Sequence, residues 1–181
     1  MTTPLSPRLS TAAMLDFSAP ELAKAVDMVR SDSSPENFCV FGYQGASKIV
    51  FKSSGTTAFR GLVDCLSDFE ISFALVRVDK KRDDFTSAVT FVYVTWVGPR
   101  VDAWARGRVA PHHIELKKLM GYTVLDIQTD DKTTLAEDVV RDKLKKASWK
   151  VLKVVTDVVM QQVPKPEPPM GEYVIRVDSH L

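Results

Sequence analysis

Two segments of this chain, "EISFALVRV" at 70–78 and "SAVTFVYVTWV" at 87–97, are β-forming runs with apolar residues on both faces. Side chains alternate across a strand, so Ile71, Phe73 and Leu75, followed by Arg77, share one face of the first run, while Ala74, Val76 and Val78 share the other. In the second run both faces are mostly apolar. Such a pair cannot leave one face in water, so it reads as the centre of a sheet covered on both sides. With 181 residues, 45% of them hydrophobic, the chain can build one such core and at most one domain with an appendage.

Helices to cover the sheet follow from the periodicity. "SAPELAKAVDMVRS" at 18–31 predicts the first: Pro20 suits the opening turn, Ser18 and Glu21 have capping-box spacing, and Leu22, Ala25, Val26 and Val29 recur at helical intervals. "FCVFGYQ" and "SKIVFKSS", joined at "GAS", predict a hairpin. "GTTAFRGLVDCLSD" predicts a second helix, with Thr56 or Thr57 as cap and Phe59, Leu62, Val63 and Leu66 on one face. A third is expected near 110–120, with Gly121 as its C-cap and "YTVLDIQ" as a fifth strand beyond it. The fourth, "TLAEDVVRDKLKKA" at 134–147, has Thr134 and Glu137 as a second capping box and Leu135, Val139, Val140 and Leu144 facing inward. The fold class is α/β, with helices on either side of a mixed sheet. After it, "SWKVLKVVTDVVMQQ" reads as a helical extension whose valines also permit a strand, "VPKPEPPMG" at 163–171 as extended chain, and "EYVIRV" as a strand-like tail.

Several function classes drop out. With 24 basic and 23 acidic residues the net charge is +1, so no global field points to nucleic acid and an electrostatic partner has to be met by a local patch. Cys39 and Cys65 sit in apolar contexts without metal-type spacing, and both are expected as buried free thiols in a reducing compartment. The N-terminal stretch lacks a signal-peptide core, its Ser, Thr and single Arg leave a short transit peptide open, and no apolar run reaches the roughly 18 residues of a membrane span. A soluble, cytoplasmic protein is expected. No Walker loop, GxGxxG, GxSxG or HExxH motif occurs. His112 and His113 point about 100° apart on a helix, which suits no shared metal, and they are expected in a solvent-exposed first turn. His180 lies in the tail. The pairs Asp83/Asp84 and Asp130/Asp131 fall in turns beside lysines, where solvation is the ordinary explanation. No enzyme, metal or cofactor is expected.

What remains is locally placed charge. Lys80, Lys81 and Arg82 fall at an exposed hairpin tip, and Arg106 and Arg108 fall in a turn-rich stretch before a helix. From 141 to 153 there are six bases (Arg141, Lys143, Lys145, Lys146, Lys150, Lys153) against one acid, Asp142. A single charge run is usually a solvated face; three together suggest a shared surface. Trp96 reads as strand packing with one partner for its indole N–H, and Trp104 as a core anchor rather than a contact residue.

"FALVRVDKKRDDFTSAVTFVYVTWVGPRVDAWARGRVAPHH", followed by "DDKTTLAEDVVRDKLKKAS", resembles the actin-depolymerising-factor homology (ADF/cofilin-like) domain, and within it the coactosin-like proteins. The likeness rests on the strand ending "TWVG", the basic segment before the long helix and the last helix ending "KLKKA", and it covers roughly residues 18–148. It implies a central mixed sheet of five to six strands in the gelsolin-like ADF-homology architecture, and actin-filament binding without catalysis. The residues it implies for filament contact are Arg106 and Arg108, with the hairpin's Lys80, Lys81 and Arg82 and the last helix's Arg141, Lys145 and Lys146; arginine suits carboxylates on an acidic partner. Arg108 stands where the family usually has lysine, and "VAPHHIE" replaces a short polar run. This sets a leader at 1–17, a domain at 18–148 and an extension at 149–181 without counterpart in the family. Apolar surface in that extension must pack on its own domain, pair with a second copy or dock into a larger assembly. The alternative function is therefore an ADF-homology domain serving as a structural subunit of a cytoskeletal, for example ciliary, complex, with a further protein partner held by 149–181.

Overall fold

The computed structural model describes residues 15–147, save residues 84 and 85 and the side chains of 80–88. In chain order the elements are α1 (Pro20–Arg30), β1 (Phe38–Gln44), β2 (Lys48–Gly55), α2 (Ala58–Cys65), β3 (Ile71–Asp83), β4 (Thr86–Val97), α3 (Ala103–Gly107), α4 (Val109–Met120) and β5 (Leu125–Thr129). A 3₁₀ turn at Lys132–Leu135 leads into α5 at 137–147. All of this lies in the first of the chain's two units, Met1–Ala147; the second is Ser148–Leu181. Residues 1–14 of the leader, the apolar 149–162 run, the proline-rich 163–171 stretch, "EYVIRV" and His180 lie outside the described residues.

The five strands form one sheet in the order β2-β1-β3-β4-β5. All pairs are antiparallel except β4–β5, which is parallel, so the sheet is mixed as expected. One face, with Phe41, Phe73, Leu75 and Tyr93, packs against Leu22, Val26 and Val29 of α1 and Leu116 and Met120 of α4. The opposite face, with Val76, Val94 and Trp96, packs against Phe59 and Leu62 of α2 and Val140 and Leu144 of α5. Trp96 is 1% exposed, and its indole N–H donates to Ser67 O at 2.7 Å.

A parallel pair cannot be closed by a tight turn, so the chain between β4 and β5 crosses one face of the sheet carrying α3 and α4. The crossover is fastened at its far end. The Arg30 guanidinium donates to the carbonyls of Met120 and Tyr122, the latter at 2.8 Å, and lies 4.4 Å from the Phe91 ring centre. Gly121 takes φ 75° there, the left-handed C-cap its position predicted.

Local expectations give way where a side chain finds another partner. Ser18 does not cap α1; Ala19 is the N-cap, and the Ser18 hydroxyl donates to Asp16 Oδ1 at 2.7 Å. Thr57 stands at the N-cap of α2 without a side-chain bond. The second capping box is absent too, because Thr134 belongs to the 3₁₀ turn, which Asp131 caps, and Glu137 accepts from Arg141. With α5 starting at 137, its inner stripe runs through Val140 and Leu144, which leaves Val139 36% exposed. Cys39 is buried as expected but Cys65 is exposed, since Phe59, Leu62 and Leu66 already fill the inward side of that segment; both thiols are free.

At the end of β4, Gly98 N donates to Glu70 O at 3.0 Å. A Cβ on Gly98 would stand 2.3 Å from Asp68 O and 2.5 Å from its carbonyl carbon, against backbone that cannot swing aside. Gly98→Ala is expected to lower stability by about 1–3 kcal/mol, read as a lower urea midpoint at unchanged m value. An unchanged midpoint would show that the 67–70 loop yields freely.

Candidate functional site

The basic segment after β4 is more ordered than its turn-rich sequence suggested. Arg100 N donates to Asp68 O at 2.9 Å and Val101 N to Gly98 O at 3.0 Å, which folds the chain back on itself. Asp102 Oδ1 then accepts from Ala105 N at 2.9 Å and caps the one-and-a-half turns of α3. Arg106 turns inward from α3. Its Nε donates to Val101 O at 2.9 Å, and its Nη2 to Gly98 O at 3.0 Å and Pro99 O at 2.8 Å. Three carbonyls that no strand or helix satisfies are thereby held by one guanidinium, which makes Arg106 the clamp of the segment.

Arg108, at the joint between α3 and α4, is placed differently. Its guanidinium carbon lies 4.1 Å from the Trp104 ring centre and 5.6 Å from that of Tyr43. Nη1 donates to Ala46 O at 2.5 Å, while Nε is buried with no hydrogen-bond partner. Trp104 was expected in the core, and it is 70% exposed. The reason is that Ala105 of this short helix and Val101 just before it pack against the core, so Trp104 faces outward over Arg108.

The two histidines correct the sequence reading. His112 is 5% exposed and pairs through Nδ1 with the Tyr43 hydroxyl at 2.6 Å. His113 pairs through Nδ1 with Thr95 Oγ1 at 2.8 Å and stacks on Tyr93, with ring centres 4.7 Å apart. Both form the polar seam between α4 and the sheet. Burial lowers both imidazole pKa values, opposed by Glu115 at His112 and Asp126 at His113, and reinforced by Arg108 and Lys117 respectively. Burial pushes the Tyr43 phenol up to about 12, so it is neutral at pH 7. The signal was present in the sequence: Val109, His112, Leu116 and Met120 recur at helical spacing, and all four are buried.

The other predicted residues lie elsewhere. Lys80 and Lys81 stand on β3 opposite Ala88 and Ser87, with the register shifting between Lys81 and Asp83, so they and Arg82 belong to the strand rather than to a loop. They are at the end of the β3–β4 hairpin remote from the 98–108 segment, roughly 35 Å away at the usual strand rise. Arg141, Lys145 and Lys146 are exposed on α5, which covers the opposite sheet face from α4. Arg141 pairs with Glu137 at 2.6 Å and Lys145 with Asp142 at 3.2 Å, exposed pairs of little strength. The structure therefore does not gather the eight basic residues into one patch. Arg106 and Arg108 share a segment; the rest are distributed over another end and another face.

A histidine whose folded pKa is below its unfolded value, near 6.5, contributes stability that is complete above that value and is lost as pH falls through the window below it. Urea unfolding is expected to show stability level from pH about 8 to 7 and falling below about 6.5, before carboxylates titrate. The double variant His112→Gln/His113→Gln should flatten that fall. An equal slope in both proteins would assign the acid sensitivity to other groups.

With this geometry in view, comparison with known proteins is specific. Residues 14–145 match the family model described as cofilin/tropomyosin-type actin-binding protein. Coactosin of Dictyostelium discoideum is 30% identical over 136 residues, which are 75% of this chain and 92% of that protein. The structure is similar to human coactosin-like protein at TM-score 0.64 and 25% identity, over 69% of this chain and 93% of the other. It is similar to mouse coactosin, described as an actin filament binding protein, at TM-score 0.63 and 26% identity, over 76% and 93%. The two-sided mixed sheet with its crossover helix and the match across nearly all of the described residues lead to one conclusion: this chain belongs to the cofilin/tropomyosin-type actin-binding protein family and is coactosin-like within it.

Proposed function

We propose that the chain is a non-catalytic module that binds actin filaments in the cytoplasm through basic residues, with Arg108 and Trp104 as the central contact. The observation that carries this reading is an exposed tryptophan lying on an arginine that has no carboxylate partner among the described residues. Tryptophan and arginine dominate the energetics of protein interfaces, and stacking holds the guanidinium fork ready for an acidic partner. Arg106 supports the contact from behind, since its Nε and Nη2 are occupied by the loop carbonyls. Lys80, Lys81 and Arg82 on the hairpin and Arg141, Lys145 and Lys146 on α5 add basic contacts at another end and on another face of the domain; a filament offers two neighbouring subunits, which accommodates contacts on separate faces. A further protein partner is assigned to residues 149–181 as part of the same reading.

High-speed cosedimentation with actin filaments at two salt concentrations tests the assignment. The full chain is expected to pellet with filaments, less so at the higher salt. Arg108→Glu should weaken pelleting about tenfold or more, and Arg141→Glu/Lys145→Glu should weaken it less. Arg106→Gln is expected to lower stability by about 1–3 kcal/mol with a smaller effect on affinity for the fraction that remains folded. Full pelleting by Arg108→Glu at both salt concentrations would sink the site assignment, and no pelleting by the unaltered chain would sink the function.

A further inference from the structure

Beside the Arg108–Trp104 stack is a cleft of about 270 Å³ between the β1–β2 hairpin, the 69–71 segment and the loop leading into α3. Its volume is below the roughly 300–1,000 Å³ of small-molecule sites, which makes it suitable for a side chain rather than a cofactor. Five charged groups line it: Lys52, Arg100, Arg108, Glu70 and Asp102. The two acids are already engaged. Glu70 is paired with Lys52, and Asp102 caps α3 through Ala105 N. The two arginines are not: among the described residues neither guanidinium has a carboxylate partner. Arg100 lies 5.2 Å from the ring centre of Phe69, which is 66% exposed, and Arg108 lies between Trp104 and Tyr43. An arginine lying against an aromatic ring keeps its in-plane N–H fork free while losing little further freedom on binding. The cleft thus has at its wall two oriented arginines without a carboxylate partner among the described residues, beside a Glu70 paired with Lys52 and an Asp102 committed to capping α3.

We propose that this cleft is a binding site for an acidic peptide segment, which places a carboxylate between Arg100 and Arg108 and lays its backbone against Phe69. The ligand is recognised by charge-assisted hydrogen bonds to the two guanidinium groups, of which that of Arg108 has a hydrogen bond still unmade at its buried Nε. The cleft shares Arg108 with the proposed filament contact, but the inference stands on the cleft's own lining and its test contains no filaments.

The test uses the full chain labelled with 15N at arginine and observes the Nε–Hε resonances during titration with an end-capped hexaglutamate peptide, beside its hexaglutamine counterpart. The expected result is saturable shifts of Arg100 and Arg108 with the glutamate peptide, none with the glutamine peptide, and no saturable shift of Arg60 on α2. Arg100→Gln should weaken binding about tenfold, and its unfolding midpoint, compared with the parent chain, confirms that the variant is folded. Shifts of equal size at Arg60, or an affinity unchanged by Arg100→Gln in the folded variant, would overturn the proposal.

Discussion

Everything in this molecule depends on the requirement that β3 and β4 be dry on both sides. Phe73, Leu75 and Tyr93 on one face and Val76, Val94 and Trp96 on the other are each fully or almost fully buried. At about 25 cal/mol per Å² of apolar surface, exposing either face would outweigh the marginal stability of a domain this size. The chain meets the requirement by alternating: α1 and α4 close one face, α2 and α5 the other. The parallel β5 follows from the same need, because a crossover is what carries α4 over the sheet.

The basic segment is a by-product of that crossover. Leaving β4 at Gly98, the chain has to turn against the 67–70 loop before it can start a helix. Arg106 ties together the carbonyls of Gly98, Pro99 and Val101 in this turn, and on that support α3 presents Trp104 outward with Arg108 beneath it. The two arginines, two positions apart and chemically identical in the sequence, therefore divide into one that holds the loop and one that lies against an exposed tryptophan without a carboxylate partner among the described residues.

That division marks the limit of what the sequence discloses. Strand alternation and helical stripes located every long element, because each rests on a period that burial imposes. Gly121 and Trp96 were legible for a related reason: each has a single local solution, a left-handed cap and a buried indole with one acceptor. The capping boxes were misread because Ser18 and Thr134 had competing partners, Asp16 for the one and Thr129 and Asp131 for the other, which spacing alone cannot rank. Trp104 and the histidines were misread in opposite directions, since exposure on a short helix is decided by which neighbours reach the core first. His112 could have been placed by its period, whereas no pattern in the sequence distinguishes Arg106 from Arg108.

The clasp of Arg30 on the end of α4 joins residues 90 positions apart. Contacts of that span close late in assembly, after the chain between them has paid its loop entropy. The crossover helix α4 is thus among the last elements to be locked, although its sequence lies in the middle of the domain. During synthesis on the ribosome, α1 would wait, docked on the first hairpin, until the crossover emerges to meet it.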